Sequence, residues 1–282
     1  MKKKILRSLV AFILCLLPFL VGNSIGKYSP YVDTNSFQSY VIIWAFISLA
    51  FVGLAFSLLK YYAQSFERMM IAGAVLFLLV SPITGIVGLV SPPELSIKML
   101  AHPEREHLRY TFLFIGAILF GIFAVLALSS NIFRVKRLFS RILTVVMALA
   151  FAEFIWEFNH HYHYPEALQA WVDQGKSAEA FGKSYDHSGI ITIGVIGRFL
   201  QFLCIIGLAV YFYTTRQIHL WCPILCVLFS VCGLISATVI YVTEMNLPKG
   251  FEMLFLFFIP GIPFLLLYWL GVGLLTRVKA VQ

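Results

Sequence analysis

Apolar runs recur along the chain at a length set by a bilayer and not by a soluble core. A spanning helix needs about 20 predominantly apolar residues. Runs of that size occupy Ile5–Gly22, Ser39–Leu59, Met69–Val90, Leu108–Ser129, Ile142–Phe158, Gly189–Tyr213, Leu220–Tyr241 and Glu252–Leu275. The pattern predicts an all-α, polytopic transmembrane helical bundle of about eight spans, forming a single integral membrane domain over residues 1–282. The first run, MKKK followed by Leu and Phe with Ser24 and Gly26 beyond, also fits a secretory signal peptide, which on removal would leave seven spans. Two runs contain backbone breakers, Ser81-Pro82 with Gly85 and Gly88 in the third and Pro260-Gly261-Ile262-Pro263 in the eighth. Kinks are expected there, since each proline leaves a helix carbonyl without its usual donor.

Polar residues interrupt the pattern most sharply at Ala152–Tyr164, AEFIWEFNHHYHY, where the fifth run ceases to be apolar before it ends. Glu153, Glu157, His160 and His161 are spaced by four, three and one residues, so a helix projects them into one sector. Ionisable groups in a spanning segment face a bundle interior, a partner or a water-filled cavity. Arg198 lies about ten residues into the sixth span, some 15 Å deep at a rise of about 1.5 Å per residue. Helices five and six are sequential and antiparallel, hence neighbours. With the fifth helix leaving the membrane near Phe158, Glu153 is the deep acid, and a Glu153–Arg198 pair is expected.

Charge changes the picture only through its distribution. The chain is 60% hydrophobic and 12% charged with a mean hydropathy of +0.89, far from soluble composition, and carries a net charge of +8. An N-terminus inside puts thirteen of the 21 Lys and Arg in the cytoplasm and seven outside, with Arg198 in a span, while twelve of thirteen acids and six of seven histidines fall on the outer side. This predicts a plasma-membrane or bacterial inner-membrane protein with both termini cytoplasmic. The excess charge reflects topology and needs no anionic partner, and no nucleic-acid motif accompanies it. All five cysteines sit in apolar segments, outside any disulfide framework.

The outer segments hold the polar chemistry. SPPE near Glu94 suits a short helix, and in HPEREH Pro103 begins the fourth helix with Glu104 and Glu106 near its positive end. In the longest outer loop, His160–Ser188, Pro165 starts a short helix with an apolar face of Leu168, Trp171 and Val172, ended by Gly175, which suits a lid.

Three chemistries fit these residues. A mononuclear site for zinc or another divalent metal can be drawn from His160, His161, His163, His187 and Glu157, because zinc accepts three protein ligands plus water. Glu157-x-x-His160 and Glu104-x-x-His107, with Glu244 and Glu252, also make the inventory of a carboxylate di-metal bundle. The same acids and imidazoles, with Asp186 and His187, can relay protons from mid-membrane. Ser188 beside His187 and Asp186 is discounted as a nucleophile, since adjacent residues rarely point at one another. The sequence thus supports a metal-dependent hydrolase or transferase at the outer leaflet, with Glu153, Glu157 and Arg198 as catalytic candidates and a lipid or small molecule as ligand. The alternatives are a proton-coupled small-solute transporter and a non-catalytic subunit or scaffold whose outer histidines are simply solvated.

Overall fold

The computed structural model describes residues 96–129, 137–245, 247 and 249–277, together with 9, 11–13, 15, 16, 19 and 46. The expected third span, nearly all of the second and the SPPE turn lie outside these. Among the described residues the chain is entirely helical, without strands. A 3-10 turn, Ile97–Ala101, leads into α1 (Pro103–Ser129), α2 (Arg137–Tyr162), α3 (Tyr164–Asp173), α4 (Ala178–Tyr185), α5 (Ser188–Thr214) and α6 (Trp221–Val242). A second 3-10 turn, Glu252–Leu254, precedes α7 (Phe255–Phe258) and α8 (Gly261–Arg277).

Among the described residues three helices are long and apolar enough to cross a membrane: Arg141–Asp173, which runs on through the turn at His163, Ser188–Thr214 and Trp221–Val242. Their outward faces are apolar. On α6, Ile224, Leu228, Val231 and Ile235 are all more than 40% exposed and follow one another by four, three and four residues, one continuous stripe. On α2 Ile142, Val145 and Leu149 do the same. Such stripes are compatible with helices that cross a membrane, because contiguous exposed apolar surface is costly in water. The large apolar side chains of α8, from Phe264 to Trp269, are buried, so this helix is enclosed by others. Its Trp269 Nε1 donates to the carbonyl of Cys15, at 3.3 Å, in the first apolar run.

The eighth apolar run is broken. α7 stops at Phe258 and α8 starts at Gly261, with Ile259 in extended conformation (φ −67°, ψ 137°). The residue before a proline is driven out of the helical region by the ring that follows, so Pro260 enforces the interruption. Ser236 Oγ donates to the Leu254 carbonyl at 2.6 Å, supplying a side-chain donor to the short upstream segment.

Helices α2, α5 and α6 pack side by side, with α1 against α2 and α7 and α8 against α6. The core they share is aromatic, with Phe154 stacked on Phe264 at 4.8 Å and edge-on to Phe120 at 6.1 Å. A smaller cluster of Met99, Tyr164, Leu168 and Phe181 ties the 3-10 turn to α3 and α4. Here Pro165 stands in the first turn of α3, Leu168 is buried, and Gly175 follows the helix with φ +75°, a left-handed conformation that glycine adopts freely. The lid-like helix therefore forms where its sequence places it.

Candidate functional site

The polar site is built on α2 and α5, which run antiparallel. Arg198, 1% exposed, donates through Nη2 to Glu157 Oε1 at 2.5 Å and through Nη1 to Gln201 Oε1 at 2.7 Å. Gln201 Nε2 in turn donates to Glu153 Oε2. The third donor of the guanidinium, Nε, reaches the Phe258 carbonyl at 2.5 Å, the last residue of α7 before the break. One side chain therefore binds an acid of α2, an amide of its own helix and the end of a broken helix. Arginine suits this because its planar fork presents several fixed donors and remains charged when buried.

Arg198 pairs with Glu157, not with Glu153 as the sequence suggested. α2 continues to Tyr162 instead of stopping near Phe158, so both acids sit one turn deeper relative to its end. Glu157 then lies about 8 Å and Glu153 about 13 Å below the helix terminus. The ends of the two helices are offset, so that Glu157 meets Arg198 and the deeper Glu153 meets Gln201. Gly197 completes the fit: a Cβ there would fall on the Glu153 carboxyl group. Glu153 Oε1 and Glu157 Oε2 are buried and have no hydrogen-bond partner among the described residues.

Above this network, the last turn of α2 presents His160 and His161 beside Asp186, which caps α4 two residues before α5 begins. His160 Nε2 lies 2.9 Å from Asp186 Oδ1, and one ligand atom from each of His160, His161 and Asp186 falls within 4.8 Å of the others. Both imidazoles are held by rings. His160 stacks on Tyr185 at 4.3 Å and on Trp156 at 5.5 Å, and His161 stacks on Tyr110 at 5.4 Å. Tyr185 also donates its hydroxyl to the His160 carbonyl at 2.8 Å. Burial, and then the charge of Asp186, pushes that hydroxyl above the ordinary tyrosine range, so it stays a donor.

Two imidazoles and a carboxylate form a donor set that zinc and its neighbours accept. Ligands about 2.1 Å from a tetrahedral ion stand roughly 3.4 Å apart. The present spacing needs only the His160–Asp186 contact to open by about half an ångström and His161 to close in.

The remaining candidates are elsewhere. His163 is exposed at the start of α3, and His187 is exposed as the N-cap of α5, its Nδ1 accepting from Gly189 N at 3.2 Å. Glu104 is bound to His102 at 3.1 Å on the surface. His107 Nε2 lies 2.7 Å from Glu166 Oε1, at ion-pair distance but off the line of a hydrogen bond, and ties α1 to α3. Among the described residues the di-metal arrangement is not assembled: the grouping with metal-ligand spacing is His160, His161 and Asp186. Glu106, expected near the positive end of this helix, is buried in the first turns of α1, as is Arg109.

Sequence reasoning missed Gln201, although an amide three residues after an arginine in an apolar helix shares its face. It named Asp186 as a proton carrier and in a discounted nucleophile cluster, not as a metal ligand, and nothing local marks it as a neighbour of His160, 26 residues away. Comparison with protein-family models, curated proteins and solved structures finds no match.

Proposed function

We propose that the protein is a multi-pass membrane protein, of about eight spans with both termini cytoplasmic, that binds a divalent metal ion through His160, His161 and Asp186 at its outer mouth. On this reading it is a metal-dependent hydrolase or transferase of a plasma or bacterial inner membrane. The observation that carries it is the mutual approach of those three ligand atoms within 4.8 Å, on rings already fixed by stacking. A bound ion supplies an activated water or a Lewis acid. The chain's own residues do the rest. Glu157, one turn before His161 on the same helix, keeps one carboxylate oxygen for accepting a proton, while Arg198 holds the other. Gln201 and Glu153 hold Arg198 in place from below. α3 and α4, resting on the Met99 and Phe181 cluster, form the cover over the mouth.

Purified protein is expected to carry roughly one zinc or similar ion per chain, measured by elemental analysis, and to lose it with Asp186→Asn or His161→Ala. Protein that neither retains nor takes up an ion on titration overturns the reading.

A second reading, proton-coupled transport of a small solute, is favoured by the buried series Glu153, Gln201, Arg198, Glu157, whose two acids each keep an unpartnered oxygen among the described residues beside a broken helix. Glu153→Gln in proteoliposomes is then expected to abolish proton-driven uptake; unchanged uptake excludes it.

A further inference from the structure

Two acids and one arginine are buried together between α2 and α5, in a ratio that leaves one negative charge over. Glu153 and Glu157 are each 8% exposed. Among the described residues the charged side chains facing Glu153 are Glu157, one turn further along α2, and Arg198 of α5. The helices packed around them add no base further in: α6 has no charged residue, α8 none before Arg277, and α1 none after Arg109 in its second turn. The apolar runs Ser39–Leu59 and Met69–Val90 contain no Lys, Arg or His, and Ile5–Gly22 contains Arg7 near its start.

The hydrogen bonds decide which acid is left over. Arg198 gives Nη2 to Glu157, Nη1 to Gln201 and Nε to the Phe258 carbonyl, and among the described residues no hydrogen bond joins it to Glu153. A guanidinium has only donors, so Gln201 turns its Oε1 to Arg198 and its Nε2 to Glu153 Oε2. That amide is neutral, and it bonds to the carbonyl oxygen of a neutral carboxyl group as well as to a carboxylate. Glu153 Oε1 is buried with no hydrogen-bond partner among the described residues, against the α5 backbone where a Cβ at Gly197 would fall. An ionised carboxylate buried without a cation of its own is far costlier than a neutral one, and of two carboxyl groups sharing a site one keeps its proton instead.

We propose that Glu153 carries a resident proton on Oε1 at neutral pH, so that Glu153, Gln201, Arg198 and Glu157 form a buried cluster of zero net charge. Glu153 is then the acid of the cluster and Glu157 its carboxylate, two like side chains given different roles by their neighbours. A proton suits the place better than a metal ion does, because Gln201 presents an N–H and not an oxygen to Glu153. The acids are those of the second reading above, but the assignment rests on their burial and pairing alone, whether or not a solute moves.

Infrared spectroscopy of the full chain in phosphatidylcholine vesicles at neutral pH tests this. Subtracting the spectrum of Glu153→Gln, which keeps the shape of the side chain, is expected to leave the carbonyl band of one protonated carboxyl group, lowered in frequency when H2O is exchanged for D2O. Glu157→Gln frees Arg198 for Glu153, so charge balance requires the band to be lost there as well. The unfolding midpoint of Glu153→Gln should stay within about 2 °C of that of the unaltered chain, since an amide replaces an acid that was already neutral. Absence of the band, or a band that persists in Glu157→Gln, overturns the proposal. A midpoint lowered further in Glu153→Gln also overturns it, because the charge of Glu153 was then in use. No readout involves a metal ion or a solute, so failure here leaves both earlier readings standing.

Discussion

Arg198 is the side chain whose loss should cost most. Replacing it with Met removes the donor from Glu157 Oε1, from Gln201 Oε1 and from the Phe258 carbonyl together. Breaking a buried ion pair by deleting one partner costs about 3–5 kcal/mol, chiefly because a charge is left buried without compensation. The orphaned Phe258 carbonyl, with no helical donor across the Pro260 break, adds about 1–3 kcal/mol unless water reaches it. At about 2–4 °C per kcal/mol for a chain of this size, the midpoint of thermal unfolding in detergent should fall by on the order of 10 °C. The double variant Arg198→Met with Glu157→Met separates the origin of the loss. An apolar pair of similar volume in place of a buried ion pair is often neutral or stabilising, so the double variant should recover more than half of the loss. A single variant within about 0.5 kcal/mol of the unaltered chain, the spread of ordinary surface substitutions, refutes the reasoning, and so does a double variant that is worse than the single one.

Other substitutions test neighbouring parts. Gly197→Ala drives a methyl into the Glu153 carboxyl group; a loss of about 1–3 kcal/mol is expected from such overpacking, read as a lower unfolding midpoint and largely relieved by adding Glu153→Ala. Leu168→Ala, at the buried centre of the lid cluster, should cost about 2–5 kcal/mol locally, and hydrogen exchange should rise in α3 and α4 while α5 and α6 keep their protection. Trp269→Phe removes the bond to the Cys15 carbonyl but keeps a large ring; a cost of about 0.5–1.5 kcal/mol is expected, and a much larger one would mean that ring shape, not the bond, holds this contact.

Much of the fold was legible because the solvent it is written for is uniform. The ends of α5 and α6 fall within one residue of the apolar runs, and Pro103, Pro165 and Gly175 mark the turns they were expected to mark. Pro260 similarly announced the break in the last run. What was not legible was where a polar helix end stops. NHHY reads as loop after an apolar span, yet His160 and His161 remain helical because Trp156, Tyr185 and Tyr110 pack on them. The offset between the ends of α2 and α5, which sets Glu157 on Arg198 and Glu153 on Gln201, is likewise not written in either apolar run. Asp186 was hidden for a different reason: its approach to His160 depends on the path of α3 and α4, which local composition does not encode.

The account rests on His160, His161 and Asp186 sharing one ion, and X-ray absorption at the zinc edge of the purified protein tests it most directly. Two imidazoles with one or two oxygen donors at about 2.0–2.2 Å are expected, with an imidazole shell that shrinks by one in His161→Ala. A spectrum of zinc coordinated only by water and buffer, the same in the unaltered chain and in His161→Ala, would contradict it.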